Sequence, residues 1–285
     1  MIRDEWDRRI RRATGLSSSY PFAAEGLNFY ARVASIQRSL YEDFLKASAP
    51  SRNVSGTQSL REELDLFVLL PKFPAFLRAV GQFAPAPLAE SAGVLAKNGA
   101  EAWQRAIRDF WQTPAESAEG AKSGERDHSD DSSKISPSEN LLSWIFLQPY
   151  AEHLAARRAP SSLNGTPSAC PLCGGKPIVG VLRGEGDGAK KSLICMLCAH
   201  EWTFRRIYCP SCGEEREPQM AYYSASEIPH VRVDVCDTCH TYLKSVDLTK
   251  TGLAVPVVDE LATIPLDLWA REHGYEKLQT NMLGM

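Results

Sequence analysis

From Leu27 to Leu45 apolar residues recur at Phe29, Val33, Ile36, Leu40 and Phe44, in steps of four and three that place one stripe on a helix. Similar patterns run through Leu60–Leu70, Ala75–Phe83, Leu88–Leu95 and Ala100–Trp111, with breaks expected at Pro71, Pro74, Pro85 and Pro87, because proline cannot donate the helical hydrogen bond. Residues 1–112 therefore predict a helical bundle. Residues 113–139 hold almost no large apolar side chain and predict a mobile polar insert. The pattern returns over Asn140–Arg158, with Leu141, Trp144, Ile145, Leu147 and Leu154, as a last helix that Pro149 is expected to kink or split. Residues 159–167 read as a linker.

Beyond Ser168 the periodicity shortens to β-rich pieces, Pro177–Arg183, Ser192–Ile194, Trp202–Tyr208, Met220–Tyr223 and Val231–Val235. Asp259–Gly274 carries a helix signature, with Thr263 as N-cap, Pro265 in the first turn, Gly274 past the end, and Leu268 and Trp269 expected to dock it. The expected fold class is multidomain α+β. A helical domain spans 1–160, and a tandem four-cysteine module with a C-terminal helix spans 168–285.

All eight cysteines lie in that module, and each belongs to a Cys-x-x-Cys pair: Cys170/Cys173, Cys195/Cys198, Cys209/Cys212 and Cys236/Cys239. Two intervening residues let one tight turn aim both sulfurs at a single ion, and two such knuckles complete a tetrahedral four-thiolate site. Cys170-Pro-Leu-Cys-Gly174 and Cys209-Pro-Ser-Cys-Gly213 add a proline that fixes φ and a glycine that accepts positive φ. Two metal ions are therefore expected, against structural disulfides or free thiols. Cys170 and Cys209 lie 39 positions apart, and Cys195 and Cys236 lie 41 apart, so the module is a repeat. The simplest grouping joins consecutive knuckles; a cross-braced exchange remains open.

Eight sulfurs for two ions leave no open coordination position, which argues against metal-hydrolase chemistry. His200 and His240, each just after a knuckle, are expected beside the sites and not on the ions. Gly184–Gly188, followed by Lys190 and Lys191, lacks the spacing and the helix of a phosphate loop and reads as a hairpin turn. No Ser-His-Asp set, paired-carboxylate motif or nucleotide fingerprint is present.

Composition narrows the partners. At 285 residues, 44% hydrophobic, with a formal charge of −3, the chain has no overall attraction for nucleic acid or an anionic membrane. Lys190, Lys191, Arg205 and Arg206, interleaved with Trp202 and Phe204, are the strongest case for a zinc-ribbon nucleic-acid binder, opposed by Glu214, Glu215, Glu217, Asp234 and Asp237. The arginine-rich start is not followed by an apolar leader core, and Leu64–Val80 and Leu141–Leu147 are too broken or too short to cross a bilayer. A cytoplasmic protein is expected, where paired cysteines are metal ligands or redox thiols.

Five segments resemble the formate dehydrogenase accessory protein family, FdhE. They are Cys170–Pro177, Cys195–Trp202, Cys209–Gly213, Cys236-Asp-Thr-Cys-His-Thr-Tyr-Leu-Lys244 and Val258-Asp-Glu-Leu-Ala-Thr-Ile-Pro-Leu-Asp267. The resemblance implies a helical domain followed by two tandem rubredoxin-like, or zinc-ribbon, units, with iron the preferred metal and zinc the alternative. It also implies a non-catalytic cytoplasmic role in maturing respiratory formate dehydrogenase, by contact with the catalytic subunit before export. Because a four-thiolate iron changes oxidation state without changing ligands, a rubredoxin-like electron carrier is a further reading.

Overall fold

The computed structural model describes residues 2–47, 59–113, 136–158, 167–186 and 188–285. The predicted insert lies almost wholly outside the described residues, as does the linker.

The chain begins with a helix that the sequence reading did not single out, α1 (Ile2–Ser19), packed antiparallel against α2 (Ala24–Ala47). Trp6, Arg9, Ala13 and Leu16 are buried at helical spacing, and Arg9 is only 4% exposed. The charged start is thus an amphipathic helix whose inward face carries an arginine.

Next come the short α3 (Leu66–Leu69), α4 (Phe73–Gly81), α5 (Ala86–Lys97) and α6 (Ala100–Gln112). Pro74 and Pro87 sit in the first turns of α4 and α5. They start helices instead of breaking them, since first-turn N–H groups have no intrahelical partner to lose.

The last helix of this layer, α7 (Pro137–Ala156), begins within the predicted insert through a capping box, in which Ser136 accepts from Glu139 N–H and the Glu139 carboxylate accepts from Ser136 N–H. Residues 142–154 are all buried, making α7 the central helix of the layer. Pro149 does not split it. A proline at this position leaves the Ile145 carbonyl without its helical donor, and Gln37 of α2, itself fully buried, donates from Nε2 at 2.9 Å. The intact helix is thus completed from outside.

The remainder is one twisted sheet. Its strands are β1 (Pro177–Glu185), β2 (Gly188–Cys195), β3 (Glu201–Phe204), β4 (Met220–Ser224), β5 (Val231–Cys236), β6 (Thr241–Asp247) and β7 (Glu276–Lys277). They run in the order β3-β2-β1-β6-β5-β4, with β7 beside β6. Each cysteine repeat supplies three antiparallel strands, β1–β3 and β4–β6. The first strand of one repeat joins the last strand of the other in parallel, with Gly180 opposite Ser245. A Cβ at Gly180 would lie 2.2 Å from Ser245 Oγ, so the seam requires glycine.

The single predicted C-terminal helix is two, α8 (Pro256–Ala262) and α9 (Ile264–Glu272). Thr263 sits between them but caps nothing with its side chain; its hydroxyl donates to the Glu260 carbonyl. Leu266 and Ala270 dock α9, while Leu268 points outward. One apolar core runs continuously through the helical layer and the sheet.

Candidate metal centre

The structure gathers the eight sulfurs into two groups, Cys170, Cys173, Cys195 and Cys198, and Cys209, Cys212, Cys236 and Cys239. Within each group the four Sγ atoms lie within 4.8 Å of one another. Consecutive knuckles therefore share a cluster.

The two halves are built alike. Gly174 N–H donates to Cys170 O and Cys170 N–H to Gly175 O; Gly213 N–H donates to Cys209 O and Cys209 N–H to Glu214 O. Gly174 and Gly213 take φ of 70° and 78°, as the knuckle turn demands. In the second knuckle of each pair the same left-handed position falls to Ala199 and His240. Gly175 is required for a different reason, since a Cβ there would lie 2.9 Å from Cys195 Sγ and 3.2 Å from Cys173 Sγ.

Closest sulfur pairs are 3.4 and 3.5 Å apart in the first cluster and 3.7 Å in the second. A disulfide needs about 2.05 Å. A tetrahedral ion with ligands at about 2.3 Å places sulfurs about 3.8 Å apart, close to what is found. Burial pushes the Cys195 and Cys209 thiols up, so several thiolates in these pockets require a cation among them. Each cluster can hold one ion, and a soft borderline metal such as iron or zinc suits the donor set.

The clusters differ in surroundings. All four sulfurs of the first are buried, whereas Cys212 is exposed and Cys239 half-buried. The helical layer closes over the first cluster through backbone contacts: Leu60 N–H donates to Leu172 O, Arg61 to Cys173 O, and the Trp144 indole to Met196 O. The C-terminal tail borders the second cluster, where Tyr275 donates to Asp237 and Glu276 N–H to His240 O. His200 stacks near Trp202, and neither histidine enters a cluster.

Behind the second cluster lies a charge network that sequence reading missed. Lys244, fully buried, donates to Asp267 at 2.6 Å, to Thr263 Oγ1 at 3.1 Å and to the Glu260 carbonyl at 2.5 Å. Lys277 pairs with Glu260 and Asp267, Tyr242 donates to Asp267, and Asn281 donates to both Glu260 oxygens. Two cations balance two carboxylates; burial would raise Glu260, but Lys244 and Lys277 hold it below the ordinary carboxylate range. A visible signal existed in the alternation of β6, which puts Lys244 on the same inward face as Tyr242 and Val246.

Asp259 ties this region to α1, accepting two hydrogen bonds from Arg12 at 2.5 and 3.0 Å and lying 2.8 Å from His230 Nε2. Arg9 pairs similarly with Glu152 at 2.8 Å.

The basic patch does not assemble as one face. Lys191 is buried against Asp234 at 2.7 Å, and Arg205 pairs with Glu215 at 2.8 Å.

Comparison with known proteins places this geometry. Residues 169–206 match the domain described as FdhE, central domain, and residues 207–283 match FdhE, C-terminal domain. A protein FdhE homolog of Aquifex aeolicus is 38% identical over 117 residues, 40% of this chain and 41% of that protein. A homolog of the same name from Haemophilus ducreyi is 29% identical over 150 residues, 52% of this chain and 49% of its own length. The chain thus spans under half the length of these curated relatives. The crystal structure of the FdhE protein from Pseudomonas aeruginosa superposes with a TM-score of 0.66 at 24% identity, over 99% of this chain and 95% of that one, so the fold is shared by the helical layer as well. Residues 169–283 thus match the central and C-terminal domains of the FdhE family, one after the other.

Proposed function

We propose that this protein is a non-catalytic accessory factor in the maturation of respiratory formate dehydrogenase, and that it binds the catalytic subunit in the cytoplasm before export. The observation that carries this reading is the family match that runs through both clusters. Their eight cysteines leave neither ion an open position for substrate. Cys170, Cys173, Cys195, Cys198, Cys209, Cys212, Cys236 and Cys239 are the proposed ligands of two ions, with iron preferred and zinc the alternative. Bound metal would supply rigidity to the ribbons and, if iron, a one-electron couple. Deleting the gene should lower formate oxidation while the catalytic subunit is still made, and tagged protein should retain that subunit from cytoplasmic extract. Normal activity and normal export in the deletion strain would overturn the reading.

Exposure of Cys212 favours a second reading, a rubredoxin-like electron carrier, because exchange needs an ion close to the surface. Elemental analysis and visible spectra of protein purified without oxygen decide it. Zinc in both sites would eliminate it.

A further inference from the structure

β4 is an outer strand of the sheet, and among the described residues no strand pairs with its second edge. Outer strands are commonly blunted by lysine, proline or a bulge, since their unpaired N–H and C=O groups attract other strands. Met220-Ala-Tyr-Tyr-Ser224 has none of these, and its register with β5 is regular. Tyr222 and Tyr223 are 63% and 44% exposed and project to opposite faces, Tyr222 under the Arg232 guanidinium and Tyr223 against Trp269 at 4.5 Å.

A groove flanks the strand on each face. That on the α9 side, of about 640 Å³, is lined mostly by apolar groups, among them Phe22, Tyr223, Ile228, Leu266 and Trp269, with Glu227 the one charged residue in it, and Phe22 is 55% exposed. That on the other side, of about 480 Å³, is lined by Arg206, Met220, Tyr222, Arg232, Asp234 and Glu217. Asp234 already holds both Lys191 and Arg232, which leaves one positive charge in excess beneath the groove. Arg206 adds another and has no ion-pair partner among the described residues, while Glu217 offsets one. The lining side chains alone balance, Arg206 and Arg232 against Glu217 and Asp234, and the buried Lys191 beneath them tips the sum to one positive charge.

We infer that the open edge of β4 takes up an extended polypeptide segment in which apolar side chains alternate with acidic ones. Backbone pairing along the edge would supply affinity, and the period of two would deliver apolar groups to the α9 groove and carboxylates toward Arg206. The inference rests on the edge, the grooves and their charge, and holds whatever the client enzyme is.

The test uses the full metal-loaded chain and a fluorescein-labelled peptide, Val-Glu-Val-Glu-Val-Glu-Val, read by anisotropy and by amide exchange. The Glu peptide should bind about tenfold tighter than its Lys counterpart. N-methylation at alternate residues should abolish binding, and exchange protection should appear at Met220–Ser224. Arg206→Glu should erase the preference for Glu over Lys, and Phe22→Ala should weaken binding about threefold; both residues are exposed, so neither change should unfold the chain. Equal binding of the two peptides, undiminished binding after N-methylation, or no protection of β4 would overturn the inference. Concentration-dependent self-association that protects β4 and excludes the peptide would also overturn it, by making a second copy the occupant.

Discussion

Adjacent glycines in the first knuckle separate two physical requirements that sequence alone merges. Gly174 has open space around its Cα and needs only its positive φ, so Gly174→Ala should cost about 1 kcal/mol and keep the ion. Gly175 is hemmed in by the Cys195 and Cys173 sulfurs, and Gly175→Ala should lose one metal equivalent, counted by native mass spectrometry. Equal metal content in the two variants would contradict this. Asp259 gives a second test at this scale. Burial alone would raise its pKa, but hydrogen bonding with His230 and Arg12 holds it below the usual carboxylate range. Such a group contributes stability above the unfolded pKa, near 4, and loses it as pH falls through the folded value. From pH 6 to pH 3 the wild type should therefore lose more stability than Asp259→Asn, which starts weaker. The thiolates titrate in both proteins, so the difference in denaturation slopes isolates this carboxylate.

Elements were legible in proportion to how far their own side chains determine them. The stripe on α2 and the knuckle turns follow from spacing, and the structure gives both. The start of α1 was obscured because its buried face includes arginines, whose partners Glu152 and Asp259 lie far away in sequence. β6 was overlooked for the same reason, its inward Lys244 being neutralised by Glu260 of α8 and Asp267 of α9. Pro149 does not split α7, and the carbonyl it orphans is served by a distant glutamine. That arrangement predicts non-additivity. Gln37→Leu should destabilise by about 1–3 kcal/mol through the unsatisfied Ile145 carbonyl. In a Pro149→Ala background, where the helix supplies its own donor, the cost should shrink by 1 kcal/mol or more, on the order of one hydrogen bond. Urea denaturation of the four proteins in the cycle measures it, and strict additivity would refute the account.

Across the whole molecule, the clusters occupy unlike places. The first is sealed between the helical layer and the sheet, while the second opens to solvent at Cys212. A chelator should remove the second ion first, with iodoacetamide labelling Cys212 ahead of the other seven cysteines, followed by peptide mapping. Simultaneous release would show that burial does not control exchange. Grouping by consecutive knuckles also predicts that Cys170→Ser with Cys195→Ser leaves one ion, whereas Cys170→Ser with Cys209→Ser leaves none. Repeat spacing made that grouping readable; the enclosure of one cluster by helices was not, because it depends on Arg61 and Trp144, which lie 112 and 52 residues, respectively, from the backbone groups they bind.

The parallel seam between β1 and β6 is a head-to-tail joint, and joints of that kind are open-ended. Two repeats related by a two-fold axis would consume the same edge from each and close. Here the first strand of one unit meets the last strand of the other, which leaves an opposite pair of edges, β3 and β4, free to continue the row. Such a row could polymerise from molecule to molecule. The β3 end is four residues long, and there the Trp202 indole donates to the Pro167 carbonyl. β4 is the counterpart of β1, whose edge is filled by a strand running in the same direction, so a segment added at β4 should also run parallel to it. A spin label at the amino end of the added peptide should broaden amide signals near Met220 and spare those near Ser224.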